Sequence, residues 1–275
     1  MRAEDYSYLD ELEARSIFII REAYYRFRDR LAVLWSVGKD STTMLYLVKK
    51  AFFGEVPVPV IHIDTSYKLK EIYEFRDRLA REWNLNLIIA RNEEALKSGM
   101  GPEKGRLACC TAIKTQALKQ VISEHGFKAL LAAIRRDEHA IRAKERTFSP
   151  RENFSWNYCN QPAELWNHYA TKEESTLHFR VHPMLHWREI DIWRYIKREG
   201  IPVVNLYFAK QVNGKWLRYR SIGCAPCCKP VESKADSVDK IIEELEVTKT
   251  PERAGRVQDK EREYMMQKLR ALGYM

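Results

Sequence analysis

Apolar residues recur at helical spacing near the start of the chain and then gather into short continuous runs. Residues 5–28 show the helical spacing, with Leu9, Leu12, Ile19, Ile20, Ala23 and Phe27 set among Glu and Arg. Four apolar runs typical of buried strands follow at 31–35, 58–63, 86–90 and 128–134. Between these runs, the pattern predicts helices over 41–52, 69–83 and 111–125. Strands that alternate with helices of this length predict parallel βαβ units.

The pattern loosens after about residue 142. Residues 147–176 are polar, aromatic and irregular, and residues 205–234 are predicted to be loops. A strand-like segment at 179–182 precedes predicted helices at 188–199, 236–246 and 251–272. We therefore expect an α/β fold, with a doubly wound, mainly parallel sheet in residues 1–146. A C-terminal mixed extension, residues 147–275 of the same domain, would cover the edge of the sheet where ligands bind.

The charge of the chain favours an anionic ligand. Its 275 residues contain 47 Lys and Arg against 38 Asp and Glu, which gives a net charge of +9. Nucleotide, sulfate and nucleic acid all suit such a surface. Apolar runs stay well short of the about 20 residues that cross a bilayer, and the N-terminus lacks the pattern of a signal peptide. We expect no membrane partner and a cytoplasmic location.

A candidate phosphate-binding loop lies where the first predicted strand gives way to a helix. Its sequence is Ser36-Val37-Gly38-Lys39-Asp40-Ser41-Thr42. Gly38 would let the backbone turn tightly and approach a ligand, while the helix N-terminus and Lys39 would face an anion. The loop differs from G-x-x-x-x-G-K-[ST] because Val33 replaces the first glycine and Asp40 follows the lysine. Transfer of a γ-phosphate is therefore not implied.

Two adjacent arginines, Arg135 and Arg136, follow the fourth predicted strand, with Arg142 and Lys144 close behind. Guanidinium groups bind sulfate or phosphate in a bidentate manner. At the carboxyl end of a strand, beside the phosphate loop, they predict an oxyanion site. The alternative is a charged loop whose cations pair with the neighbouring carboxylates of Asp137, Glu138 and Glu145.

Five of the six cysteines fall in two clusters. Cys109-Cys110 form the first and Cys224-x-x-Cys227-Cys228 the second, whereas Cys159 stands alone. In a reducing compartment this clustering favours metal or redox chemistry over disulfides. Soft thiolates suit Zn²⁺ or an iron–sulfur cluster. Buried free thiols are the alternative.

The motif Ser-x-Gly-Lys-Asp-Ser resembles the PP-loop of enzymes that cleave ATP between its α and β phosphates. Further similar segments lie at 62–65, 73–77, 135–146, 161–166, 191–196, 231–233 and 252–256. Together they resemble the superfamily of PAPS reductases and sulfate adenylyltransferases, and they are closer to the small subunit of the adenylyltransferases. Val37 agrees with that branch, because the reductases usually have a second glycine there.

This resemblance implies an adenine nucleotide α-hydrolase-like fold and a nucleotidyltransferase of sulfur metabolism. Ser36, Gly38, Lys39, Asp40, Ser41 and Thr42 would bind ATP phosphates, and Asp64 and Thr65 would border the nucleotide or its Mg²⁺. Lys39, Arg135 and Arg136 would act in catalysis, and Arg142 and Lys144 would help to bind the oxyanion. A sulfate oxygen would attack the α-phosphorus and release pyrophosphate. The implied partner is a GTPase large subunit.

The two cysteine clusters also resemble the [4Fe–4S] ligand set of adenylylsulfate reductases, which implies Cys109, Cys110, Cys224 and Cys227 as ligands. Zinc stays open. Cys159 and Cys228 would then be free for a sulfur relay. Reductases attack with a cysteine in a C-terminal tail, and this chain has none after Cys228. The rival function is an iron–sulfur ATP pyrophosphatase that inserts sulfur into DNA or tRNA, with a cysteine desulfurase as partner. The acceptor, the metal and a homo-oligomeric state stay open.

Overall fold

The structure is a computed structural model that describes residues 3–169, 171, 178–255, 268–269 and 271–273. Within this part, the main strands are β1 (Leu31–Leu34), β2 (Val60–Ile63), β3 (Leu87–Ala90), β4 (Ala129–Leu131), β5 (Phe148–Arg151) and β6 (His178–Val181). The helices are α1 (Ala3–Phe27), α2 (Lys39–Ala51), α3 (Lys70–Glu82), α4 (Glu93–Lys97), α5 (Arg106–Cys109), α6 (Gln116–His125), α7 (Glu189–Glu199) and α8 (Val238–Val247). No helix of the described residues is long and apolar enough to cross a membrane.

The described strands form a sheet of order β3-β2-β1-β4-β6-β5. Neighbouring strands are parallel except for β5, which pairs antiparallel with β6 at one edge. The chain moves outward from β1 in one direction through β2 and β3, and in the other through β4 and β6. This reversal creates a crevice at the carboxyl end of β1, where doubly wound sheets bind their ligands. The predicted α/β fold class is confirmed.

Both faces of the sheet are covered, which explains why the strand sequences are continuously apolar. In β1, Leu31 and Val33 pack into one core with residues of α1, α2, α3 and α7. Ala32 and Leu34 point to the other face and pack with residues of α6. Side chains alternate between the faces with a period of two, so an apolar residue is needed at every position. The phosphate loop is therefore held between a buried strand and a buried helix.

The region before α6 differs from the single helix predicted over 111–125. The chain forms α5, then a π-helical segment at Cys110–Thr115, and only then α6. Wide turns of this kind are rare and occur frequently at functional sites. The segment places Cys110 and Lys114 on the side of the fold that carries the second cysteine cluster.

The predicted C-terminal half also differs in detail. Residues 205–234, predicted to be loops, contain a small antiparallel sheet of β7 (Lys210–Val212), β8 (Lys215–Arg218) and β9 (Val231–Glu232). Its strands are short, and β7 is fully exposed, so no apolar alternation marks them. β5 and β6 belong to the main sheet, so the boundary drawn at residue 146 does not coincide with a break in that sheet. Of the helix predicted over 251–272, Glu252–Gly255 form a 3₁₀ turn and residues 256–267 lie outside the described part.

Candidate nucleotide site and cysteine cluster

The phosphate loop turns at a valine rather than at a glycine. Val37 adopts φ 70°, whereas Gly38 has φ −75° in extended backbone. The expectation that Gly38 supplies the tight turn is therefore wrong. A buried β-branched residue in the left-handed region is strained, and such outliers cluster at functional sites. The surrounding core holds this strain, because Val37 is 1% exposed.

Gly38 instead lies between two hydroxyl groups at the N-terminus of α2. A Cβ at this position would lie 3.4 Å from both Ser36 Oγ and Tyr207 Oη. The Lys39 N–H donates to Tyr207 Oη at 2.8 Å, and Ser36 Oγ lies 3.0 Å from Ser41 Oγ. Gly38 provides no side-chain cap for the helix. Uncapped helix N-termini attract anions, so a phosphate suits this position.

A cavity extends from this loop along the carboxyl ends of the strands. Its lining includes residues of the loop: Ser36, Gly38, Lys39, Asp40 and Ser41. It also includes apolar side chains: Leu34, Ile61, Ile63, Ala132 and Ile134. Lys68, Lys114 and Cys224 line it as well. A polar loop and an apolar wall suit a nucleotide, whose phosphates and base have these contrasting characters.

Beneath the loop lies a buried ion-pair network. Lys39 Nζ pairs with Asp40 at 3.1 Å and also contacts Glu252. Arg135 pairs with Asp137 at 3.0 Å and contacts both Asp40 and Glu252. Lys39 is 1% exposed and Arg135 is not exposed. Arg135 therefore fixes the acidic partners of the loop lysine.

The other three predicted oxyanion-binding residues are dispersed. Arg142 lines the cavity and pairs with Glu138. Arg136 Nη1 lies 3.2 Å from the ring nitrogens of His186. The Lys144 ammonium lies 5.9 Å from the ring centre of Tyr158. Arg135 pairs with Asp137, and Arg142 pairs with Glu138. The sequence predicts these pairs as the alternative to an oxyanion site, namely a charged loop.

Three of the predicted nucleotide-binding residues contact groups of the protein. Thr42 Oγ1 accepts a hydrogen bond from Trp35 Nε1 at 3.0 Å. Asp64 Oδ1 accepts from the Tyr73 hydroxyl at 2.8 Å and from the Ser66 N–H at 2.8 Å. Thr65 Oγ1 lies 3.2 Å from Cys224 Sγ, so the second strand end meets the second cysteine cluster there.

Sequence reasoning missed Lys68, which reaches into the cavity next to His62. Burial, Lys68 and Arg76 hold the pKa of His62 well below its ordinary value, so the ring is neutral. Its Nδ1 lies 3.0 Å from the Trp35 carbonyl, which fixes a proton on Nδ1 and leaves Nε2 to accept from Lys68 Nζ at 3.0 Å. Desolvation lowers the pKa of Lys68 to about 7. No spacing in the sequence distinguishes this lysine from its charged neighbours.

The two cysteine clusters lie close enough to affect each other's thiols, and Cys224 lines the cavity. Burial raises the pKa of Cys109 to about 12, and the thiols of Cys110, Cys224 and Cys227 add to the effect. Burial acts in the same direction on Cys224, but Lys114, Thr65 and Lys68 outweigh it and lower the pKa of that thiol. Thiols from two distant segments therefore influence one another's ionisation.

This donor set has the chemistry that zinc or an iron–sulfur cluster requires. Within the described residues, however, no group of three or more His, Cys, Asp or Glu is arranged to hold a metal ion. None of the six cysteines, all of which are described, forms a disulfide bond. Cys159 is exposed and Cys228 is buried.

Comparison with known proteins agrees with this geometry. The family model of the phosphoadenosine phosphosulfate reductase domain matches residues 30–230. Sulfate adenylyltransferase subunit 2 of Geotalea uraniireducens is 40% identical, over 98% of this chain and 98% of that protein. The chain belongs to the sulfate adenylyltransferase subunit 2 family. The family resemblance predicted from the sequence is therefore confirmed.

Solved structures share the fold of this member of the sulfate adenylyltransferase subunit 2 family. The FMN adenylyltransferase of Candida glabrata in complex with ATP superposes with a TM-score of 0.58 at 15% identity, covering 94% of this chain and 91% of that one. The phosphoadenylyl-sulfate reductase of Candida auris gives 0.52 at 17% identity, covering 84% and 98%. At these identities the likeness shows the fold alone.

Proposed function

We propose that this chain adenylylates sulfate, converting ATP and sulfate into adenylylsulfate and pyrophosphate. The observation that carries the proposal is Lys39 at the start of α2, after an N-cap glycine with no side chain to cap the helix, in a polar loop at the crevice of the sheet. The chain is 40% identical to a protein named sulfate adenylyltransferase subunit 2, which supports this reaction. A sulfate oxygen forms the new bond to the α-phosphorus. The bond from that phosphorus to the bridging oxygen breaks, and its electrons leave with pyrophosphate.

The loop binds the β and γ phosphates and stabilises the charge that develops on pyrophosphate. Lys39 and the N-terminus of α2 supply this positive field, which is the main requirement of phosphoryl chemistry. Arg142 lines the cavity and binds the sulfate. Arg136 and Lys144 would complete this site by leaving their contacts with His186 and Tyr158. Arg135 acts behind them by holding Asp40. Asp64 and Thr65 border the ribose.

Mg²⁺ would bind at the phosphate end. It prefers oxygen ligands and typically takes one or two carboxylates together with substrate phosphates. The carboxylates that line this part of the cavity are Asp40 and Glu138. Bound there, Mg²⁺ would offset the negative charge of the triphosphate.

A second subunit is part of this proposal. The relatives are named subunit 2, which implies a partner subunit. We propose that the partner is a GTPase, as in the resembling enzymes. We also propose that the reaction takes place in the cytoplasm, a reducing compartment that suits six cysteines of which none forms a disulfide bond.

Pyrophosphate release from ATP, followed under anaerobic conditions, tests the proposed reaction. We expect release that depends on sulfate and increases when a matching GTPase subunit is added. Duplex DNA, offered instead of sulfate, serves as the comparison. Release that depends on DNA and ignores sulfate would contradict the proposal and favour the sulfurtransferase, with a cysteine desulfurase as its sulfur donor.

We also propose that Cys109, Cys110, Cys224 and Cys227 hold a metal, as a [4Fe–4S] cluster or a zinc ion. The effect of the Cys110, Cys224 and Cys227 thiols on the pKa of Cys109 supports the proximity of the four residues. Bound, the metal would fix the loop after β8 against the π-helical segment. Sulfate adenylylation needs no redox step, so this centre is structural or tunes the cavity. Cys159 and Cys228 have no part in it.

Cys224→Ser should lose the bound metal, because Cys224 links the second cluster to Thr65 and Lys114. The wild-type chain, purified without oxygen, should contain about four iron atoms per chain or about one zinc. Iron, sulfide and zinc analysis with visible absorption measures this loss. Cys159→Ser, which changes an exposed thiol, is the matched control and should keep the metal. Unchanged metal content in Cys224→Ser would remove this residue from the ligand set.

A further inference from the structure

The carboxylate of Glu252 lies against the two cations of the phosphate site. One oxygen contacts Lys39 Nζ and the other contacts the Arg135 guanidinium. The side chain of Glu252 is 5% exposed, and its two partners are more deeply buried. Glu252 is separated from Lys39 by 213 residues in the sequence. A distant carboxylate therefore makes the contacts that a phosphate group would make.

The segment around Glu252 is held on both sides. The Thr250 carbonyl accepts from Arg220 Nη1 at 2.7 Å. Arg253 Nη1 donates to Glu138 Oε1 at 2.9 Å. These two contacts hold the short stretch from Thr250 to Arg253 over the loop.

The cluster around Glu252 is balanced in charge without any ligand. Among the described residues, its cations are Lys39, Arg135, Arg142, Arg220 and Arg253, and its anions are Asp40, Asp137, Glu138, Glu189 and Glu252. Five positive groups face five negative groups. A pyrophosphate entering with Glu252 in place would be buried against a carboxylate, which costs free energy.

Glu252 is charged when it makes these contacts. Burial acts to raise the pKa of this carboxyl, but the proximity of Lys39 and Arg135 outweighs burial and holds the pKa well below its ordinary value. At neutral pH the site therefore contains an anion supplied by the protein.

We propose that Glu252 is a built-in occupant of the phosphate subsite at Lys39, held there by Arg135 from behind, and that the pyrophosphate part of the nucleotide displaces it. The inference rests on one part of the proposed function, which is that this loop binds the phosphates of a nucleotide. Displacement lowers the apparent affinity for pyrophosphate, because only chains with Glu252 withdrawn can bind it. Return of Glu252 then promotes release of the product, and the segment from Thr250 to Arg253 responds to occupancy of the loop.

Glu252→Gln tests the proposal, since glutamine keeps the size and loses the charge. In titration calorimetry with inorganic pyrophosphate alone, the Kd of the variant should be at least about tenfold lower than that of the wild type. Glu246→Gln is the matched control, because that carboxylate is half exposed and pairs with Arg194 on the surface. Its Kd should equal that of the wild type.

Repeating the titration with Mg²⁺ separates displacement from metal binding. Tighter binding by Glu252→Gln in both conditions supports the proposal. If Glu252→Gln binds pyrophosphate no more tightly than the wild type without Mg²⁺, the proposal is overturned. If the variant binds more weakly than the wild type with Mg²⁺, the proposal is also overturned, because Glu252 is then a metal ligand. Thermal unfolding of both variants confirms that they are folded.

Hydrogen exchange of the wild-type chain gives an independent measurement. Peptides that cover Thr250 to Arg253 should exchange faster when pyrophosphate is added, because the segment withdraws. Unchanged or slower exchange at saturating pyrophosphate overturns the proposal. Neither measurement requires sulfate turnover. The wild-type chain could fail to adenylylate sulfate while Glu252→Gln still binds pyrophosphate more tightly than the wild type. That result would refute the proposed function and leave this inference in place.

Discussion

Lys39→Ala should reduce ATP-dependent pyrophosphate release at least about a hundredfold, the usual loss when a positioned group that stabilises developing charge is removed. Lys39 opens α2 and lines the cavity beside Asp40 and Ser41. The N-terminus of α2 stays in place after the substitution. The loss should therefore appear mainly in kcat. Because Lys39 is a buried partner of Asp40 and Glu252, the variant should also be less stable than the wild type, so its kinetics are measured under conditions where it is folded. Steady-state kinetics of pyrophosphate release, with circular dichroism as a check on folding, measures this effect.

Lys49→Ala is the control for this experiment. Lys49 lies on the same helix, and its ammonium lies 5.1 Å from the ring centre of Trp83, away from the loop. The two variants remove the same charge from one helix, so a general electrostatic effect would lower both activities. We expect Lys49→Ala to keep nearly full activity. Full activity in Lys39→Ala would refute the assignment of the phosphate loop.

Arg135→Ala should destabilise the fold by about 3–5 kcal/mol, the cost of breaking a buried ion pair by removing one partner. Asp40 and Glu252 are buried beside Arg135 and would each lose a cation. Arg136→Ala should change the free energy of unfolding by at most about 1 kcal/mol, because the Arg136 side chain is half-buried and its hydrogen-bond partner is the exposed ring of His186. Urea unfolding, with the midpoint and slope compared between variants, measures both values.

The same pair of variants separates two roles in activity. Arg135→Ala should also lose pyrophosphate release, since Arg135 positions Asp40 beside Lys39. Arg136→Ala should act mainly on the KM for sulfate. Equal stability of the two variants would mean that the buried network does not contribute to folding. Equal loss of kcat would mean that both arginines act directly on the reacting phosphate.

The elements that hold the site could be predicted from the sequence, because their burial is complete. β1 and β2 are short runs of apolar residues covered on both faces, and each leads to a helix with a clear apolar stripe. The phosphate loop could be located because it lies at the strand–helix junction. A sequence pattern detects such local arrangements well.

Contacts between distant segments could not be predicted in this way. Glu252 and Tyr207 reach the loop from far along the chain, and no spacing connects them to Lys39. The left-handed backbone of Val37 contradicts the local preference of valine, and only the packing around it holds that conformation. The sequence therefore locates the loop but not the groups that fill and support it.

The antiparallel strand at the edge of the sheet has a consequence for behaviour at high protein concentration. β5 ends the sheet beyond β6, and Pro150 lies in the middle of it, in register with Phe179. Proline has no N–H to offer to an additional strand, and natural proteins use it to protect sheet edges. Growth of the sheet by strand addition from a second molecule is therefore disfavoured at this edge, which protects the protein from fibrillar aggregation there. Self-association through this edge would have to use side-chain contacts instead.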